Sequence, residues 1–369
     1  MRKYILKFLI CGLFFASACA KKEIHTYSDT DPLAGFDTLF SYSESTYDKN
    51  LFHAHFEAGR ELFFHYSSLF DIYNNYQKLN NLKTVNDNAG KQPVKVDPEI
   101  IEMLKLAQDF YRYSDGKFDV TIGALTRVWH DYRENGILLN SEGKQAPVPE
   151  KKELEKAYGC HGWDQVEINE EDSTVFLKQD CMALDVGGIA KGYAAEKIAL
   201  ALEKEKAVSG NVNAGRNLRT IGTKPDGSAW RIGIADPNSE TGESIMIVSV
   251  PGSMSFVTSG DYERFYIGED GRSYHHIVDP DTLFPADYYR SVTVITEDSG
   301  AADCLSTALF TMSVEDGKKT VEAYEAETGK NVDIIWIMEK EKAPEDPHSA
   351  EKNGLVIIYT EGLEGKIAL

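Results

Sequence analysis

The segment Asp185-Val-Gly-Gly-Ile-Ala-Lys-Gly-Tyr193 constrains this chain more than any other. It sets an acid, a glycine pair and a lysine between two short strands, read at Val175 to Leu177 and Met182 to Leu184, and a helix read from Ile189 to Lys204. Glycines let the backbone approach a ligand closely, and the first N–H groups of a helix attract anions. Lysine adds a point charge suited to phosphate, and the acid can accept hydrogen bonds from a sugar or base. The block suits a phosphorylated nucleotide, although a plain Gly-Gly corner ahead of a helix would read the same way. It is not a P-loop, because Gly192 rather than Ser or Thr follows Lys191.

The N-terminus gives the address. Met-Arg-Lys-Tyr, an apolar run from Ile5 to Phe15 and the small residues Ala16-Ser-Ala before Cys19 form a secretory leader with a lipobox, over residues 1–18. Cys19 is then the lipid-bearing first residue of the mature protein, and an ordinary signal peptide with a chance cysteine is the alternative. Residues 19–32 read as a polar tether and 33–369 as one domain. Cys160, Cys181 and Cys304 show neither a disulfide framework nor a Cys-x-x-Cys metal site, and read as buried small apolar residues. A net charge of −20 argues against nucleic acid and against a polybasic membrane surface. It also means that a phosphate site here needs local cations or a metal.

Asp97-Pro98 opens a capped amphipathic helix, and Phe52 to Tyr76 reads as another, rich in aromatics. Ile232/Ile234, Ile245/Ile247, Phe265/Ile267 and Val292/Val294 alternate at period two, as strands do. Asp298 to Met312 returns to helix, and Ile334 to Met338 with Leu355 to Tyr359 suggest a closing hairpin. Blocks of helix and antiparallel-type strand, without regular βαβ alternation, predict an α+β domain.

Within that frame, Asp303 and Thr307 lie one turn apart on one helix face. A carboxylate plus a hydroxyl suits magnesium, which takes few protein ligands beside phosphate oxygens; a solvated face or a helix-internal hydrogen bond is the plain alternative. Apolar neighbours favour the metal, since a buried acid needs a partner. His275 and His276 point to opposite sides of any strand, so at most one faces a site, where a near-neutral imidazole is the natural proton shuttle. Thr258 to Arg264 reads as a polar turn, and Phe118 to Leu125 as either the wall of a flat aromatic ligand or a buried strand end.

Together the segments resemble the FAD:protein FMN transferase family, extracytoplasmic lipoproteins once named for thiamine biosynthesis and also called flavin-trafficking proteins. The matching pieces are Gly35-Phe-Asp-Thr38, Asn86 with Ala89-Gly90, Gly116 to Gly123, Asp185 to Tyr193, Asn213-Ala-Gly215, Thr258-Ser-Gly-Asp261, His276 to Pro280 and Asp303 to Phe310. The resemblance implies a single α+β domain, with a mostly antiparallel sheet, flanking helices and an elongated FAD cleft. It implies magnesium-dependent transfer of FMN from FAD to a Thr or Ser of a partner protein, with release of AMP. By position, Gly188, Asp303 and Thr307 would hold Mg2+. Phe36, Gly123, Ala124, Leu125, Asp185, Lys191 and Ile277 would contact FAD, and His276 is the acid/base candidate with Asp261 as second choice. The protein would be anchored by lipid to a bacterial membrane. An FAD pyrophosphatase and a non-enzymatic flavin-binding lipoprotein are the alternatives. Two positions depart from the pattern: Arg216 stands where a second glycine is usual, and Leu283 replaces the glycine of Asp-Pro-x-Thr-Gly.

Overall fold

The computed structural model describes residues 23–369. The leader and Cys19 lie outside the described residues. The centre of the domain is a nine-stranded antiparallel sheet. Its spatial order is His25–Gly35, Thr38–Thr46, Ser209–Ala214, Asn217–Gly222, Ser255–Gly260, Ser291–Thr296, Asp333–Glu339, Leu355–Tyr359 and Ser349–Lys352. The two-residue periodicity splits the inner strands between two cores. In Asp333–Glu339, Ile334, Trp336 and Met338 point to the helical side, while Ile335 and Ile337 point to the other. Val292 and Val294 in Ser291–Thr296 face the helices and Ile295 faces away.

The helical layer is built from amphipathic stripes. Asp48 caps Lys49–Phe70 by accepting from Asn50 N at 2.8 Å, and Phe52, Phe56, Phe63, Tyr66 and Phe70 bury one face. Each such ring contributes about 1.5–3 kcal/mol of burial. Ala190–Lys204 packs on this helix, and Ser299–Phe310 packs in turn on Ala190–Lys204 at close range. A side chain at Gly192 would lie 2.2 Å from Ser299 O and 2.5 Å from Asp303 Cβ, so this glycine is what lets the two helices touch. The opposite sheet face is covered by the hairpin Trp230–Ala235/Ser244–Val250, through Ile234, Ile245, Met246 and Val248.

A third cluster makes a side lobe. The helix Gly123–Ser141 packs Leu125 and Trp129 against Tyr266, Tyr274, Val278 and Leu283 of the hairpin Phe265–Ile267/Ser273–His275 and the loop beyond it. The closest approach falls at Gly136, where a Cβ would lie 2.4 Å from the Tyr266 ring. The functional cleft lies between this lobe and the paired helices.

Several expectations change. Residues 25–32, expected in the tether, belong to the strand His25–Gly35, paired from His25 opposite Thr46. It is an edge strand with most side chains in solvent, so its polar composition gave no strand signal. Met182 to Leu184 is not a strand: Ala183 makes a single bridge to Ile122, and Asn86 holds Leu184 from both sides through its amide. Cys160 and Cys181 form a disulfide with Cα atoms 5.7 Å apart, and only Cys304 is the buried free thiol expected. The hairpin Val166–Asn169/Thr174–Leu177 lies between the two cysteines in sequence and folds their flanks together. Closing a loop of this size contributes about 3 kcal/mol.

Candidate functional site

An open cleft gathers residues from several segments of the chain. Asp185, Gly187, Gly188 and Lys191 come from the glycine-rich helix entry, and Asp303 and Thr307 from the facing helix. His276 and Ile277 come from the end of the Ser273–His275 strand; Thr258, Ser259 and Gly260 from the central sheet; and Thr126, His130 and Arg133 from the side-lobe helix.

Asp303 is 4% exposed, and one carboxylate oxygen, Oδ2, accepts from Gly192 N at 2.8 Å. Burial raises its pKa, opposed first by the nearby Lys191 charge. Asn217 lies close enough to favour the ionised form, yet its Nδ2 is buried without a hydrogen-bond partner among the described residues. Thr307 stands one turn on, against Gly188, where a Cβ would come within 2.8 Å of its Oγ1. Asp303 and Thr307 offer one carboxylate and one hydroxyl, with the backbone of Gly188 beside them. These are hard oxygens, and no group of three or more His, Cys, Asp or Glu suited to a metal occurs among the described residues. That fits magnesium, which completes its shell with phosphate and water, and does not fit zinc.

Asp185 is locked in place: Oδ1 accepts from Gly187 N at 2.9 Å and Oδ2 from Thr126 Oγ1 at 2.7 Å. Among the described residues Lys191 Nζ donates only to Gly187 O, at 3.3 Å, and its ammonium remains available to an anion.

The two histidines do face different surroundings. His275 is 6% exposed; its Nε2–H donates to Ala286 O at 2.7 Å and its Nδ1 accepts from Ile277 N. Both nitrogens are committed to the neutral tautomer, and burial lowers the pKa to about 4. An unfolded His near 6.5 takes up its proton first, so stability is complete above pH 6.5 and is lost as pH falls toward 4. The loss should reach about 3 kcal/mol. Urea unfolding across this range should show that slope flattened in His275→Gln; an unchanged slope would assign it to other groups.

His276 is open to the cleft, and its pKa is held well below 6.5. Desolvation by the cleft walls leads, followed by His275 and the cations Arg133, Lys191 and Arg264. Solvent reaching the exposed ring screens each of these effects without reversing their common downward direction. The imidazole is neutral at pH 7 and able to take a proton.

Other expected site residues are placed elsewhere. Asp261 accepts from Arg290 Nε at 2.8 and 3.1 Å and is not in the cleft lining; burial raises its pKa, opposed by the Arg290 charge. Phe36 has a left-handed backbone (φ 52°) and packs on Phe63, and Gly123, Ala124 and Leu125 start the side-lobe helix behind the lining residues Ile122 and Thr126. Arg216, at φ 74°, turns its guanidinium to Glu263 and Tyr262 and augments the rim. Leu283 adopts the left-handed turn (φ 66°) that glycine would supply, with its side chain buried beside Trp129 and its carbonyl accepting from Trp129 Nε1. Tyr73, Lys117, Asp119, His130, Arg133 and Arg264 also line the cleft, though the sequence did not single them out as site residues. The four- and three-residue steps from Thr126 to His130 and Arg133 were the signal for part of this set.

An antiparallel sheet backed by helices, with a cleft entered at a glycine-rich helix start, defines an α+β protein. The chain belongs to the ApbE family, which residues 42–329 match. It is 31% identical over 259 residues to the FAD:protein FMN transferase of Klebsiella pneumoniae (strain 342), spanning 68% of this chain and 76% of that protein. It is 35% identical over 248 residues to the FAD:protein FMN transferase of Treponema pallidum (strain Nichols), spanning 63% of this chain and 65% of that one. The crystal structure of the ApbE protein from Thermotoga maritima superimposes with a TM-score of 0.73 at 29% identity, over 93% of this chain and 99% of that one.

Proposed function

We propose that this protein binds FAD in the cleft and transfers its FMN moiety to a Thr or Ser hydroxyl of a partner protein. The observation that carries the reading is the meeting of Lys191, Asp303, Thr307 and a neutral His276 in one open cleft. The family relatives are named for transfer of FMN from FAD to protein. His276 takes the hydroxyl proton, the hydroxyl oxygen forms a bond to the FMN phosphorus, and the bond from that phosphorus to AMP breaks. Lys191 stabilises the negative charge left on the departing AMP. Asp303, Thr307 and the Gly188 carbonyl would hold magnesium, which supplies charge neutralisation at the pyrophosphate when bound. Protein incubated with FAD, magnesium and a candidate acceptor should yield the acceptor with covalently added FMN, plus one AMP per label. Free FMN and AMP with unlabelled acceptor would instead make the protein a pyrophosphatase.

The same proposal places the protein outside the cytoplasm, lipidated at Cys19. The Cys160–Cys181 disulfide supports an oxidising compartment. No helix among the described residues is long and apolar enough to cross a membrane. Cys19→Ser should therefore move the protein from the membrane to the soluble fraction with its thermal stability unchanged. Membrane retention of that variant would point to a different anchor.

A further inference from the structure

The helix Gly123–Ser141 turns a polar stripe of Thr126, His130 and Arg133 toward the cleft. Thr126 is committed to Asp185. Arg133 has no comparable partner. Its side chain is 9% exposed and its Nε is buried without a hydrogen-bond partner among the described residues. Its Nη2 donates to His130 Nδ1 at 3.0 Å and lies 3.5 Å from the Glu134 carboxylate, which is itself in solvent. A guanidinium withdrawn from water with only that loose ion pair is costly, and its fork matches the oxygens of a phosphate. His130 does more than fill space. Its ring lies 5.0 Å from that of Tyr73, so the nitrogen that receives Arg133 is held by packing.

We propose that Arg133, set in place by His130, is a second anion-binding subsite of the cleft, apart from Lys191, that takes non-bridging phosphate oxygens of the bound dinucleotide. The inference rests on the reading of the cleft as an FAD site. Arg264, exposed on the same lining, adds a second positive charge facing His276. The subsite explains why a chain of net charge −20 keeps a buried arginine in this wall.

The test is equilibrium dialysis in EDTA, which leaves out any magnesium contribution, using FAD, FMN, riboflavin and inorganic pyrophosphate. Arg133→Met keeps the length of the stem and removes the charge. It should weaken FAD, FMN and pyrophosphate roughly ten- to hundredfold, the range for losing a charge-assisted hydrogen bond, and leave riboflavin unchanged. Arg133→Lys should recover part of the loss. The melting temperature of Arg133→Met should be unchanged or higher, because an under-compensated buried charge is gone. Unchanged FAD affinity in Arg133→Met, or an equal loss for riboflavin, would overturn the subsite. Unchanged FAD affinity with a raised KM for acceptor protein would reassign Arg133 to an acceptor carboxylate. Should wild-type protein fail to bind FAD, the functional reading falls, while the pyrophosphate arm still decides the subsite.

Discussion

Asp303→Asn should reduce magnesium-dependent AMP release from FAD by on the order of 10²–10³, the loss seen when a group aimed at transition-state charge is removed. Asp303 supplies the formal charge in the proposed oxygen set, and its Oδ2 also receives Gly192 N at the contact between the two central helices. Alanine would remove both roles. Asparagine keeps an oxygen for Gly192 and nearly the same volume, so it isolates the charge. The fold should survive either change, because Asp303 is a buried carboxylate whose ionised form burial already disfavours. Wild-type turnover by Asp303→Asn at limiting magnesium would remove this residue from the metal site. A collapse of the melting temperature in Asp303→Ala alone would assign the alanine effect to packing.

How far the sequence reached is itself physical. Inner strands such as Asp333–Glu339 were legible because both faces are apolar, which leaves a short continuous apolar run. Helix starts were legible where an aspartate caps them, as Asp97 and Asp298 do. Gly123–Ser141 has no side-chain cap at Ile122 and carries glycines at its start and middle, so its helical period was hidden and His130 and Arg133 with it. Those glycines answer tertiary contacts with Ala183 and Tyr266 that no local pattern announces. The same holds for Asp261: the partner that takes it from the cleft is Arg290, on a neighbouring strand edge 29 residues later. By contrast Asp185, Lys191, Asp303 and Thr307 converge as their motifs imply, since each sits where a helix entry or helix face fixes its direction.

His276→Asn should depress flavinylation of the acceptor by roughly 10²–10⁴-fold, the range for losing a general base. FAD affinity should change little, because the dinucleotide is held by other groups of the cleft. His275 offers the internal control: it is adjacent in sequence, yet both its nitrogens are committed to backbone atoms. Changes there should act on acid stability rather than on transfer. The pH profile adds a second reading. A His276 held below 6.5 is deprotonated at neutral pH, so the acid limb of kcat/KM, which reports the free enzyme, should fall below pH 6.5. Removing Arg133 takes one of the cations away from the imidazole, and that limb should then move toward higher pH. Labelling at the wild-type rate by His276→Asn would leave the imidazole a structural part. Asp119, a cleft carboxylate whose pKa burial raises, would then be the base to test, because Asp261 is held by Arg290.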